Sequence, residues 1–325
     1  MKTELLRSLK SADGFVSGQE LCQRLHVSRT AVWKGMEALK AAGYKIEAVP
    51  RKGYRLLSCP DEITREALLS EKTSKWILND AICFEETDST NEQAKHYAEK
   101  GAEEGTLFCA DKQTGGKGRK GRGFISPPGV GIFMSLLLRP KVRIADASRI
   151  TLVAALAVQE GIFLETGLSC RIKWPNDIVH EGKKLTGILT EMSLEEDRIS
   201  YIVTGIGINV NNDTFSPEIR DIATSLLLET GKKTFRPRLI AKIMDRFEKN
   251  YEVYLKTGDL SELKDHYNEL LVNRDRQVRV LDETAPYDGT AVGINEKGEL
   301  LVRTGKEVRR VSFGEVSVRG VYGYV

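Results

Sequence analysis

Between Lys112 and Phe124 the chain reads Lys-Gln-Thr-Gly-Gly-Lys-Gly-Arg-Lys-Gly-Arg-Gly-Phe, five glycines and five cations in thirteen residues. No helix or strand interior is built this way, because glycine packs little and is costly to order. The segment is a loop, and the fold must present it between regular elements. Gly116 to Gly121 fits the literal pattern Gly-x-Gly-x-x-Gly, yet a dinucleotide fingerprint needs a helix to follow. Here Ser126-Pro127-Pro128-Gly129 follows, and two prolines forbid that helix. A P-loop fails too, since no Gly-Lys-Ser/Thr closes the spacing. Taken alone, the loop is either a solvated basic surface or a set of backbone amides and cations gathered round a polyphosphate.

The first sixty residues have another character. They hold 11 Lys/Arg against 5 Asp/Glu, a net +6 where the whole chain carries +3, so the other 265 residues sum to −3. A basic segment ahead of a mildly acidic body suits a polyanion-binding module, although a solvated basic face has the same composition. Leu5, Leu6 and Leu9 predict a helix that breaks at Asp13-Gly14. Ser17-Gly18-Gln19-Glu20 predicts a capped second helix burying Leu21 and Leu25. After a turn at His26-Val27, Ser28 caps a third helix that carries Val32, Met36 and Leu39 and ends at Gly43. Residues 46–49 and 54–57 flank Pro50-Arg51-Lys52-Gly53 as a hairpin. This is the pattern of a winged helix-turn-helix, and winged helices also serve as protein-docking modules. For DNA, Ser28, Arg29, Thr30 and Lys34 at the helix start, with Arg51 and Lys52 on the wing, are the contact candidates. Trp33 is expected to pack in the core or at its edge.

From Pro60-Asp61-Glu62, a short linker into a helix, the pattern turns mixed. Strands are expected at 81–85, 106–110, 131–138, 169–174, 184–191 and 199–210, and helices at 91–100, 150–165 and 238–254. Short alternating strands at 277–281, 289–294, 299–303 and 307–312 suggest a small β-barrel. The expected fold is an α/β (α+β) multidomain chain, divided at 1–60, 61–272 and 273–325. Cys22, Cys59, Cys83, Cys109 and Cys170 are far apart and form no Cys-x-x-Cys pair. A disulfide framework and a thiolate zinc site are therefore not expected, and a reducing cytosol fits. No apolar signal region and no bilayer-spanning run are read from the sequence, so a soluble cytoplasmic protein is expected.

Other segments carry chemistry. Asp88-Ser89-Thr90-Asn91 lies between a strand and a helix, where its hydroxyls either cap the helix or bond a polar ring. Lys173-Trp174-Pro175-Asn176-Asp177 ends a strand in a tight turn that presents a cation, an amide and a carboxylate together. Lys184-Leu185-Thr186-Gly187-Ile188-Leu189 sets a lysine at the mouth of an apolar strand, with Gly187 allowing close approach. Gly205-Ile206-Gly207-Ile208-Asn209 is a glycine-spaced strand ending in an amide.

In order, these segments and the Gly116–Arg122 loop resemble the motifs of biotin–protein ligases. With a winged helix in front and a barrel behind, essentially the whole chain resembles the bifunctional bacterial members, which are also biotin operon repressors. The loop reads Gly-Lys-Gly-Arg-Lys-Gly where the family often has Gly-Arg-Gly-Arg-Arg-Gly, and Phe124 stands where some members have tryptophan; charge and aromatic surface survive both changes.

The resemblance implies a class II synthetase-like central sheet, an SH3-like C-terminal barrel, and a two-step reaction using biotin, ATP and Mg²⁺. It implies Arg119, Lys184 and Lys117 as the catalytic cations. The biotin side would be Ser89, Thr90, Asn91, Gln113, Lys117, Gly118, Arg119, Lys184 and Gly187. The nucleotide side would be Arg119, Arg122, Phe124 stacked on adenine, Asn176 and Asn209. Asp177 would orient either cations or an incoming lysine. The implied partners are a biotin carboxyl carrier domain, operator DNA, and a second copy of the chain once biotinyl-5′-AMP is bound. A ligand-sensing repressor with an inactive body, a lipoate–protein ligase and a plain nucleic-acid-binding protein remain as alternatives; biotin-dependent pyrophosphate release separates the first from the ligase.

Overall fold

The computed structural model describes residues 1–121, 123–281, 286–312 and 317–320, apart from the side chains of Lys120 and 317–320. The N-terminal unit comprises α1 (Lys2–Lys10), α2 (Gly18–Leu25), α3 (Arg29–Ala41), β1 (Lys45–Val49) and β2 (Gly53–Ser58). Ser17 Oγ accepts from the Glu20 N–H at 3.1 Å and Ser28 Oγ from the Ala31 N–H at 3.2 Å, satisfying amides that a helix start leaves free. Leu5, Leu6, Leu9, Leu21, Val32, Met36 and Leu39 close one small core. Trp33 departs from expectation: it is 55% exposed. One residue past Val32 is about 100° round a helix, which turns Trp33 off the face that Val32, Met36 and Leu39 bury.

α4 (Arg65–Glu71) follows the linker and receives α1. Arg7 Nη2 donates to the Leu69 carbonyl at 2.7 Å, and Lys10 Nζ donates to Ser70 Oγ at 2.7 Å and pairs with Glu71. The elements that follow are β3 (Ala81–Thr87), α5 (Thr90–Glu99), β4 (Leu107–Gln113), β5 (Gly131–Leu138), α6 (Arg149–Thr166), β6 (Arg171–Lys173), β7 (Asp177–His180), β8 (Lys183–Glu195), β9 (Arg198–Asn209), α7 (Leu226–Thr230), α8 (Arg236–Thr257) and α9 (Lys264–Leu270). Their strands form one sheet in the order β3-β4-β5-β9-β8-β7-β6, parallel only between β3 and β4. α6 and α8 bury most of their apolar residues in the core they share with this sheet. The stretch 144–166 is long and apolar enough to cross a membrane, contrary to the sequence reading, but 72% of its most apolar window is buried inside the protein. Its apolarity serves the core. β7 and α7 had no sequence signal of their own, since four or five residues are too short to show a period.

The C-terminal unit is an antiparallel sheet of β10 (Arg276–Leu281), β11 (Tyr287–Ile294), β12 (Leu300–Thr304), β13 (Glu307–Val311) and β14 (Ser317–Gly320), ordered β13-β12-β11-β10-β14. Trp174, 1% exposed, fastens it to the central sheet by donating its indole N–H to the Gly298 carbonyl at 3.0 Å.

Candidate active site

On one face of the central sheet, register creates a trough. Gly187 of β8 lies directly opposite Gly207 of β9, and Leu189 opposite Gly205; Phe133 and Ser135 of β5 pair with Gly207 and Gly205 from the other side. Residues directly opposite share a face, so two neighbouring strands present three positions without side chains. The space is used at once. A Cβ on Gly207 would come within 2.7 Å of the Phe124 ring, and one on Gly205 would collide with the Asn91 amide. The loop therefore folds back over the trough with Phe124 inside it, edge-on to Phe133 with ring centres 6.3 Å apart.

Polar groups converge on the same hollow. Its lining includes Ser89, Thr90 and Asn91 at the start of α5, Gln113 at the end of β4, Lys117, Gly118, Arg119 and Phe124 from the loop, and Asn176, Lys184 and Gly187. Ser89 begins α5 without bonding its free amides through the side chain, so capping is not what its hydroxyl does. Gln113 Oε1 instead accepts from the Thr90 N–H at 2.8 Å, while Gln113 Nε2 donates to Ser126 Oγ at 3.0 Å. Beneath them Ser135, fully buried, donates to Thr90 Oγ1 at 2.7 Å, and Asn91 Nδ2 donates to Glu191 Oε2 at 2.7 Å. This network fixes the floor while leaving a hydroxyl to the cavity.

The cations ring the opening. Lys117 Nζ lies 2.7 Å from Glu92 Oε1, Lys184 Nζ 2.8 Å from Asp177 Oδ1, and Arg119 Nη1 donates to Asn176 Oδ1 at 3.1 Å. The Lys117 hydrogen bond holds the Glu92 carboxyl below its usual range, against the opposing effect of partial burial. Asn176 is itself anchored, its Nδ2 donating to the Ile188 carbonyl at 3.0 Å. Only about 60 Å³ of the hollow is open to the centre of a water molecule, room for a handful of waters. With Phe124 and the loop seated in this way, a ligand enters only if the loop moves.

Of the residues expected from sequence, this hollow is lined by all but three, one of which, Asp177, meets it through the Lys184 ammonium. Asn209 does not line it; its amide donates to the Thr224 carbonyl at 3.0 Å and steadies the segment beside Lys184, whose own N–H donates to the Ile222 carbonyl at 2.7 Å. Arg122 lies outside the described residues. Phe124 rests on the glycine trough in this state. Sequence reasoning missed Ser135, Glu92 and Glu191. The lone polar residue in Ile-Phe-Met-Ser-Leu-Leu-Leu was a legible signal for Ser135, whereas the two acids look like any surface glutamate. Among the described residues the one grouping with metal-ligand spacing, His180, Glu181 and Glu229, lies away from this lining.

In the N-terminal unit, Ser28, Arg29, Thr30, Lys34, Arg51 and Lys52 are all exposed. Arg29 and Arg51 face one cleft between α3 and the wing, and Lys52 Nζ lies 6.0 Å from the centre of the Phe15 ring.

The profile of the Biotin/lipoate A/B protein ligase family matches residues 83–209, an HTH domain profile matches 2–55, and the Biotin protein ligase C terminal domain profile matches 275–319. The chain is 41% identical over 308 residues to the Bifunctional ligase/repressor BirA of Bacillus spizizenii, covering 94% of each. It is 39% identical over 313 residues to the protein of that name from Bacillus subtilis, covering 95% of each. Among solved structures, the biotin protein ligase of Aquifex aeolicus in complex with biotin and ATP superposes with a TM-score of 0.66 at 33% identity, covering 74% of this chain and 98% of that one.

Proposed function

The chain belongs to the biotin–protein ligase family, and from that premise we propose how its own residues perform the two activities. It is a bifunctional ligase and repressor: it joins biotin to an acceptor protein at the expense of ATP and binds operator DNA through its helix-turn-helix. The observation that carries the assignment of the site is the convergence of Lys117, Arg119 and Lys184 round a hollow floored by Ser89, Thr90 and Gln113.

In the first step a biotin carboxylate oxygen bonds to the α-phosphorus of ATP, the α–β anhydride bond breaks, and pyrophosphate leaves with the electron pair. Two anions must meet, and charge gathers on the phosphoryl oxygens as they do. Arg119 and Lys184 lower that barrier if their partners, Asn176 and Asp177, give way to the ligand; fixed cations in a closed site are worth far more than solvated ones. Asp177 keeps the Lys184 ammonium aimed while the site is open. Mg²⁺ arrives with ATP as part of the substrate and neutralises its phosphates. Lys117 closes over the carboxylate side, and the hydroxyls of Ser89 and Thr90 with Gln113 bond the ureido ring. Asn91 Oδ1 lies against the same Ser135 hydroxyl that bonds Thr90 and so helps set it, Gly118 and Gly187 let ligand approach backbone, and Phe124, lifted from the trough, covers adenine with Arg122 and Asn176 on the nucleotide side. Asn209 acts one step removed, through the segment it holds. In the second step the acceptor lysine's amine attacks the acyl carbon, AMP departs, and the amine loses a proton. A closed loop protects the anhydride from water until that lysine arrives.

Gly207→Ala tests the trough. The methyl stands in the hollow that a ligand must fill once Phe124 has lifted, so KM for biotin or ATP is expected to rise roughly tenfold, about 1.4 kcal/mol, with kcat little changed. Steady-state kinetics with unaltered KM values would mean that the ligand does not use the trough.

The division at 1–60, 61–272 and 273–325 is supported by the spans of the three profiles. For repression, the adenylate orders the loop, a homodimer forms, and two winged helices meet a palindromic operator. Gel-shift titration checks this: biotin with MgATP should tighten operator binding, and unchanged affinity removes the linkage. Arg51→Ala combined with Lys52→Ala should weaken operator and random DNA alike and make the plot of log affinity against log salt shallower by about 1.8. An unaltered slope would place both side chains off the phosphates. The five cysteines, all unpaired, suit the cytoplasm, where we place the protein.

A further inference from the structure

Arg236, at the start of α8, is 2% exposed yet belongs neither to the hollow nor to the DNA-facing surface. Its guanidinium serves two carboxylates from distant stretches. Nε donates to Asp61 Oδ2 and Nη1 to Asp111 Oδ1, each at 3.0 Å, and the Arg236 backbone N–H donates to Asp61 Oδ1 at 2.8 Å. Asp61 stands three residues beyond β2, in the linker that leads from the wing to α4. Asp111 stands two residues before Gln113, where the glycine loop departs.

The loop's return is held by the same group. Asp111 Oδ2 accepts from the Gly129 N–H at 2.9 Å, and Arg236 Nη1 donates to the Gly131 carbonyl at 3.0 Å. One buried cation therefore clamps both feet of the loop and, with its other edge, the linker to the winged helix. The two acids are 36% and 38% exposed while the arginine side chain is 3% exposed. A cation this buried needs its charge matched, so weakening one carboxylate's hold changes what the other must supply. The acids are thus energetically coupled although they do not touch.

We propose that Arg236 is a positioning residue through which the state of the glycine loop reaches the DNA-binding unit, with Asp111 as the ligand-side arm and Asp61 as the DNA-side arm. The inference rests on the ligand-linked operator binding proposed above. When the loop lifts Phe124 and closes on the adenylate, strain or slack at its feet alters the Asp111–Arg236 contact, and Asp61 sets the linker accordingly. The bistable element is the loop; the clamp transmits its state.

The test is Asp61→Asn in the full chain, which keeps the side chain's shape and removes its charge. Three quantities are read against wild type: biotin-dependent pyrophosphate release, sedimentation with biotin and MgATP, and operator affinity without and with biotin and MgATP. Release should stay within about twofold and sedimentation should be unchanged, while the factor by which ligand tightens operator binding should fall at least about tenfold. Asp111→Asn provides the same comparison from the other arm should Asp61→Asn not fold. If the double variant loses no more coupling than either single one, the two act in one clamp. A variant whose ligand-induced tightening equals wild type overturns the proposal. If wild type itself shows no tightening, the repression linkage fails, and the clamp falls with it.

Discussion

Arg119→Ala is expected to fold normally and to form biotinyl-adenylate about a hundredfold to a thousandfold more slowly, the range seen when one donor aimed at developing charge is removed. Arg119 sits in a loop, lines the hollow, and bonds to Asn176, so its loss opens no cavity in the core. On the proposed mechanism, what it removes is a cation that meets both carboxylate and phosphate. A second effect follows from the same geometry. With less charge to grip the anhydride the loop should open more often, so any adenylate formed should escape sooner. Biotin-dependent pyrophosphate exchange measures the first effect and release of labelled adenylate on dilution the second. A variant with wild-type values for both would mean that Arg119 only decorates a basic surface. The same exchange assay on wild type separates a working ligase from a repressor with an inactive body.

Deleting residues 1–60 should abolish operator binding while ligation stays within about tenfold of the full chain, a cost of no more than about 1.4 kcal/mol. Every residue lining the hollow lies at or beyond Ser89. What the deletion removes from the remainder is the packing of α1 on α4, with the Arg7 bond to the Leu69 carbonyl and the Lys10 contacts to Ser70 and Glu71. Some stability is lost there, as α4 exposes the face it had buried, but Asp61 and its partner Arg236 remain. Electrophoretic shift and acceptor labelling, run on one preparation, give both numbers. Equal loss of the two activities would show that the winged helix is part of the ligase site.

Much of this was legible in the sequence because the signals were local. The Ser17 and Ser28 caps and the heptad-like spacing of Val32, Met36 and Leu39 fix the winged helix from short-range rules. The glycine loop was legible because nothing else tolerates its composition. What stayed hidden depends on register. Nothing in the sequence says that Gly187 faces Gly207, or that Phe124 drops into the gap between them; that follows from pairing β8 with β9. Ser89 read equally well as a cap, yet its hydroxyl bonds no amide of the first turn of α5, and Gln113, 24 residues on, takes the Thr90 N–H. Asn209 looked like a ligand group, yet its amide is spent on Thr224, because the chain beyond β9 returns to lie on Lys184. The run from 150 to 165 was read as a long apolar helix without a spanning length; its apolarity reflects a helix most of whose surface is buried in the core.

The most direct test is incubation of the full chain with biotin, MgATP and a purified biotin carboxyl carrier domain, followed by intact-mass analysis of the carrier and parallel measurement of pyrophosphate. Lys117, Arg119 and Lys184 acting on one mixed anhydride predict that the carrier gains a single biotinyl group on one lysine, with one pyrophosphate released per group transferred. An unmodified carrier with no biotin-dependent pyrophosphate would contradict it.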